Sequence, residues 1–367
     1  MRIRRARPGA APPPVSGAPL LCRWDLDKTY LRSEFDSLRS LLRTAFERAE
    51  DKVEVPGVAE LIRALKGAAE RHGRKALVYF VSASPPQIGA AVRKKLALDG
   101  VPYDGIVFKD QLAHLRRGKL RNLREHVGFK LAELLRGRLA APPGAAELLF
   151  GDDWELDSLI YSLYADVLAA RLPPARLAPL LRRIRVDPGL ADEILALAGR
   201  AAGGERVARI FINLERRSPP ATFRLFGPRV VPTFNYFQTA AVLGAEGYLG
   251  AEDVARVGRV LLGGAGYTAR GLENSLGDLV RRGVLDPFAA GALGTRLRAA
   301  GVLPPADGPR ARWRRVLGAL GRLRRRGLIE AGRGAAGEAP PLDYDAILAR
   351  LRPAAAAAGG RERRGGT

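Results

Sequence analysis

The sequence contains one cysteine, Cys22, in 367 residues, so no disulfide can form within the chain and a reducing compartment is expected. Its three histidines, His72, His114 and His126, share no metal-site spacing, which argues against zinc. It has no uninterrupted apolar run of about 18 residues, the length a membrane-spanning helix needs. The opening Met1–Pro8 is basic, but proline and glycine follow where a signal peptide has its apolar core. A flexible leader over 1–19 and a cytoplasmic chain are therefore expected. Acids are scarce too: 38 Asp and Glu stand against 61 Lys and Arg, for a net charge of +23. Ala, Arg, Gly and Pro, all GC-rich in codons, dominate the composition, but such a bias does not explain why acids fail to balance the arginines. Residues 1–170 carry roughly +7 and residues 171–367 roughly +16. That field favours anionic partners: nucleic acid, acidic lipid or polyphosphate.

What the chain does contain is organised around Leu20–Thr29, LLCRWDLDKT. An apolar strand runs into Asp25, Asp27 and Thr29 at D-x-D-x-T spacing. Acids at the carboxyl end of a strand lie where open α/β folds bind ligands. Asp25 and Asp27 alternate with Leu26, so on a strand they share a face. Two carboxylates that close repel, and either a proton or a cation must settle them. One acid can then attack phosphorus while the other handles the proton.

Three further strands are expected. Ala76–Val81 is a continuous apolar run of the kind a buried parallel strand shows, and it ends in Ser82-Ala83-Ser84-Pro85-Pro86 before a helix over 87–98. Hydroxyls and backbone N–H groups at a helix start suit a phosphate. Asp104–Asp110 contains a short third strand, with Lys109 near its end. Glu147–Phe150 is a fourth, and it empties into Gly151-Asp152-Asp153-Trp154-Glu155-Leu156-Asp157. Helical spacing is read over 34–50, 58–71 and from Phe129-Lys130 onward, with a basic stretch between (Arg116, Arg117, Lys119, Arg121, Arg124). Strands alternating with helices imply a parallel sheet, in which all carboxyl ends share one edge. Asp25, Asp27, Ser82, Asp152 and Asp157 can then converge.

These motifs, in this order, resemble the haloacid-dehalogenase-like phosphohydrolase superfamily: D-x-D-x-T at Asp25, Asp27 and Thr29, VYFVS ending at Ser82, a lysine at Lys130, and GDDWELD at 151–157. VSASP, FKD, H-x-x-x-K at His126–Lys130 and GDD-x-x-x-D resemble the branch that holds the actin-patch phosphatidate phosphatases and lipins. The resemblance implies Asp25 as the nucleophile that becomes an aspartyl-phosphate and Asp27 as the acid that protonates the leaving oxygen and then activates water. It implies Thr29, Ser82 and Lys130 around the phosphoryl oxygens. It also implies Mg²⁺ on the Asp25 carboxylate, the Asp27 backbone carbonyl and Asp152, with Asp153 or Asp157 in support. Lys109 competes with Lys130 for the motif lysine. Lys28 and Tyr30 depart from the family pattern beside the motif. The short intervals between motifs leave no room for a large cap, so an open site and a large substrate are expected.

The second half reads as helical, with segments over 188–201, 206–215, 232–243, 251–262, 269–282 and 287–299, and Asp187-Pro188 and Asp286-Pro287 as helix starts. Phe223, Phe226, Phe234, Tyr236 and Phe237, with Arg217, Arg224 and Arg229 nearby, fit either core or a nucleic-acid stacking face. Residues 311–326 form a basic amphipathic stretch around Trp313, which suits an anionic membrane, RNA or packing on the helices.

The expectation is a Rossmann-like parallel sheet with flanking helices over 20–171, followed by a helical domain over 172–302, a linker and basic helical segment over 303–352 and a disordered tail over 353–367. The expected activity is Mg²⁺-dependent phosphomonoester hydrolysis, with phosphatidate or another large anionic substrate foremost. A polynucleotide-end phosphatase and a non-catalytic binding protein that kept the fold are the alternatives. The basic second half is the expected contact with an anionic membrane periphery or nucleic acid.

Overall fold

The computed structural model describes residues 17–27, 29–31, 54–84, 86–109, 123–305 and 341–351. The expected helix over 34–50, Lys28, the basic stretch before residue 123, the amphipathic segment around Trp313, most of the leader and the tail lie outside these residues.

The elements run β1 (Leu20–Asp25), α1 (Val58–Arg71), β2 (Ala76–Ser82), α2 (Gly89–Leu98), β3 (Gly105–Phe108), α3 (Leu123–Leu139), β4 (Ala146–Asp152), α4 (Asp157–Leu168), α5 (Pro174–Ile184), α6 (Pro188–Ala201), β5 (Val207–Asn213), β6 (Val230–Thr233), α7 (Tyr236–Ala245), α8 (Ala251–Gly264), α9 (Ala269–Arg281) and α10 (Pro287–Ala299). A last helix covers 344–351. The strands form one parallel sheet in the order β3-β2-β1-β4-β5-β6. Strand order reverses between β1 and β4, and the crevice at that point is where such sheets hold ligands.

Two apolar cores cover the sheet. On one face Cys22, Trp24, Phe80, Phe150 and Phe211 pack against α1, α2 and α7–α10. On the other, Leu149, Val207, Ile210 and Ile212 pack against α3–α6 and the helix at 344–351. The alternation of side chains along each strand sends neighbours to opposite cores. Both faces are therefore buried, which is why β1, β2, β4 and β5 read as nearly unbroken apolar runs.

The fold class holds, with two corrections in the second half. Residues 206–215, read as a helix, contain the strand β5 (Val207–Asn213). Val207, Ile210, Phe211 and Leu214 do fall at helical spacing, but the segment is dense in β-branched and aromatic residues and all seven residues of β5 are buried. Its charged Arg209 escapes by reaching Glu246 with Nε at 2.8 Å from the carboxylate. The start of the segment read as helical over 232–243 likewise belongs to β6, and the helix begins only at Tyr236. So the sheet runs past residue 172, and α7–α10 cover one of its faces. Asp187 and Asp286 cap α6 and α10 as expected, each accepting two backbone N–H bonds.

A ladder of rings stiffens the sheet beneath its carboxyl edge. Trp24 stacks on Phe150 with centroids 3.7 Å apart, and Phe150 on Phe211 at 5.4 Å. Tyr236 leans on Trp24 at 5.9 Å. These contacts join β1, β4, β5 and α7 directly below the acidic motifs.

Candidate active site

Register sets the site. Asp25 ends β1 opposite Val81, one residue before Ser82. Trp24 pairs with Phe150 on the other side, so Asp152 ends β4 two residues further on. Ser82, Asp25 and Asp152 thus emerge on three adjacent strands at one edge. Asp157 joins them from the first turn of α4.

One ligand oxygen each from Asp25, Asp152 and Asp157 lie within 4.8 Å of one another, and all three residues are buried. Lys130, carried on α3 and 1% exposed, contacts two of the three. Its Nζ is 2.7 Å from Asp25 Oδ1, 2.6 Å from Asp157 Oδ1 and 2.8 Å from Glu155 Oε2. The contact with Asp157 is a directed hydrogen bond; the other two are ion contacts. The Thr29 hydroxyl lies 3.4 Å from both Asp25 Oδ2 and Asp152 Oδ2. Asp157 Oδ2 also accepts the Asp152 backbone N–H at 3.2 Å. Gly151 makes this approach feasible: a Cβ there would lie 2.6 Å from the Asp157 Cβ.

Asp27 stands beside this group. Its Oδ2 accepts hydroxyl protons from Ser82 at 2.8 Å and Ser84 at 2.9 Å, while Oδ1 is buried without a hydrogen bond. Burial raises its pKa and Glu155 adds to that, against the two serines.

Asp153 does not enter the group. Its carboxylate accepts the backbone N–H of Arg216 at 2.9 Å and of Ser218 at 3.0 Å, so it pins the loop after β5. Lys109 is buried at the end of β3, and its backbone N–H donates to the carbonyls of Ser82 and Ser84. Of the two competing lysines, Lys130 is the one in contact with Asp25.

Two contributors escaped the sequence reading. Glu155 swings back to Lys130 because Asp152 Oδ1 accepts the N–H groups of Trp154 (2.6 Å) and Glu155 (3.0 Å) and curls the loop. An Asp followed by such a turn was the available signal. His126 Nδ1 stands 3.6 Å from Glu155. Tyr236, the second, donates its hydroxyl to the Thr29 carbonyl at 2.6 Å from 207 positions away, and no local pattern announces that contact.

The electrostatics suit a cation. Three carboxylates (Asp25, Glu155, Asp157) contact one ammonium, and a fourth, Asp152, clusters with Asp25 and Asp157. Burial drives the Asp25 and Asp152 pKa values well up; the neighbouring acids add to this and Lys130 opposes it. Asp157 is raised for the same reason. Burial also disfavours charge on Lys130, yet Asp157, Asp25 and Glu155 hold it firmly protonated. For Glu155, burial is outweighed by Lys130 and His126, which pull its pKa down. The donor set is hard oxygen throughout, and its excess negative charge fits a divalent metal ion.

With this geometry in view the comparison is direct. Residues 24–173 match the family model for the catalytic domain of phosphatidate phosphatase APP1. The segment is a haloacid-dehalogenase-like, lipin-type catalytic domain, and the activity of that family is phosphoric monoester hydrolysis. Residues 24–173 are thus similar to an APP1-type phosphatase catalytic domain. The match ends at residue 173, so α5, α6, β5, β6 and α7–α10 lie beyond it, Tyr236 among them. No curated protein and no solved structure matches the chain significantly.

Proposed function

We propose that the chain is a Mg²⁺-dependent phosphatase that removes the phosphate of phosphatidate or a closely related anionic lipid phosphate through an aspartyl-phosphate on Asp25. One observation carries this reading: three buried carboxylates from β1, β4 and α4 converge at the switch point of the sheet, two of them in contact with the Lys130 ammonium. The family match supports a lipid phosphate as the substrate class.

Asp25 attacks the phosphorus and the ester P–O bond breaks. Asp27, held by Ser82 and Ser84, gives its proton to the departing oxygen. The raised pKa of Asp27 suits it to carry that proton. Asp27 then takes a proton from the water that hydrolyses the acyl phosphate, which returns both groups to their starting states. Lys130 and the Thr29 hydroxyl offer donors to the phosphoryl oxygens. Asp25, Asp152 and the Asp27 carbonyl would hold Mg²⁺, with Asp157 behind them; when bound, the ion offsets the charge between carboxylate and phosphate. Asp153, which the family resemblance left open as a ligand, is set aside because its carboxylate is bound to the loop after β5.

Among the described residues no helix is long and apolar enough to cross a membrane. Meeting a lipid substrate then requires peripheral contact, in keeping with the basic excess of the chain.

The test is phosphate release from an aryl phosphate, phosphatidate and a 5′-phosphorylated oligonucleotide, with Mg²⁺ or EDTA. Release from phosphatidate that needs Mg²⁺ and disappears in Asp25→Asn is the expected result. Preference for the oligonucleotide would move the function to polynucleotide ends. Release that survives Asp25→Asn would overturn the assigned nucleophile.

A further inference from the structure

The loop pinned by Asp153 and the sheet edge beside it take no part in the proposed chemistry. Asp152, Asn213 and Thr233 are lateral neighbours on β4, β5 and β6. Strands lie about 4.8 Å apart, so Thr233 is on the order of 10 Å from Asp152. Just past these residues come Trp154, Arg216 and Phe234. Trp154 and Phe234 are 38% and 40% exposed, unusual for large aromatics at the rim of a buried site. Each carries a guanidinium: Arg216 lies 4.8 Å from the Trp154 ring centroid and Arg282 lies 5.7 Å from that of Phe234. Arg217, exposed beside Arg216, holds a left-handed backbone with φ 56°, which strains a non-glycine residue. Asp153 clamps this loop from below. The Arg282 N–H to the Pro232 carbonyl, at 2.8 Å, fixes the second pair.

We propose that this edge, formed by Trp154, Phe234, Arg216 and Arg217, is a docking face for an anionic lipid surface. The amphipathic Trp154 indole belongs at the headgroup level, the Phe234 ring adds apolar surface beside it, and the arginines meet lipid phosphates. The net charge of +23 draws the chain to such a surface. A base-stacking face fits less well, because each ring already has a cation over it where a base would lie. The inference rests on the lipid reading of the site: docking here sets the catalytic crevice against the bilayer, where a lipid phosphate is presented.

The test uses the full chain in the Asp25→Asn background with phosphatidylserine–phosphatidylcholine vesicles, a surface that is anionic but not the substrate. Tryptophan emission should shift to the blue on vesicle addition, and Trp154→Phe should abolish the shift. Trp24 is buried, so a shift that persists in Trp154→Phe reports Trp313 and overturns the proposal. Sedimentation should show Arg216→Glu/Arg217→Glu weakening partition at least about 25-fold, since each interfacial charge is worth about fivefold. Phe234→Ala should weaken it several-fold. Unchanged partition in these variants, or retention of an oligonucleotide in place of vesicles, also overturns it. Docking through Trp154 without phosphatidate hydrolysis by the wild-type chain would sink the substrate reading alone. Hydrolysis without such docking would sink the docking face alone.

Discussion

The Tyr236 hydroxyl donates to the Thr29 carbonyl at 2.6 Å, tying α7 to the loop that presents Asp25 and Asp27. Tyr236 lies outside the matched catalytic segment yet is 2% exposed against Trp24 beneath the site. Tyr236→Phe keeps the ring and leaves a buried carbonyl without its donor, a loss of about 1–3 kcal/mol. The expected outcome is a lower unfolding midpoint and a fall in kcat larger than any change in KM. Denaturation and steady-state kinetics on one preparation check both.

Protons and metal compete for the same carboxylates. Asp25 and Asp152 are pushed up chiefly by burial in the metal-free chain, so protons bound there must leave when a divalent ion enters. Affinity for Mg²⁺ should therefore rise with pH, and calorimetry in buffers of different ionisation enthalpy should detect the released protons. The sign for stability follows from the same shifts. A carboxyl whose folded pKa exceeds its unfolded value makes the folded state bind more protons, so stability falls as pH rises through that window. In EDTA the melting temperature should drop with rising pH, Mg²⁺ should flatten the slope, and Asp25→Asn should reduce it.

Gly151→Ala tests the close approach of β4 and α4. A Cβ at 2.6 Å from the Asp157 Cβ forces Asp157 away from Lys130 and from its carboxylate partners. Overpacking of this kind costs about 1–3 kcal/mol. Loss of Mg²⁺-induced thermal stabilisation, with the far-ultraviolet spectrum retained, is the expected pairing. Full Mg²⁺ response in the variant would show that Asp157 is not needed for the cation.

Cys22 lies wholly within the core, and burial pushes its thiol up to about 12. The native chain should resist a disulfide reagent at pH 8 and react only as fast as it unfolds. A rapid stoichiometric reaction without denaturant would contradict the packing of β1.

Much of the site was legible in the sequence because strand ends and their first following residues are local events. Asp25, Ser82 and Asp152 each close an apolar run, and a parallel sheet brings such ends to one edge whatever the sequence distance. Lys130 was legible only through resemblance, with Lys109 beside it as a rival. Asp153 shows the limit of reading acids by adjacency: next to Asp152 in sequence, it turns the other way to hold the loop at Arg216 and Ser218. Glu155 was missed because its role depends on the turn that Asp152 imposes, not on its spacing.

The sequence by itself determined the placement of acids and hydroxyls at strand ends, the expected sheet of β1 to β4, and most of the helices, since apolar period and proline or acidic caps are properties of short windows. Only the tertiary structure decided that 206–215 holds a strand, because Val207, Ile210 and Phe211 satisfy helical spacing as well as a two-sided burial that exists only inside a sheet. It alone decided that α7 braces the loop after β1, and that Trp154 and Phe234 share an edge. Those relations join residues tens to hundreds of positions apart, and their energy comes from burial and hydrogen bonds that form only after the sheet has closed over both cores.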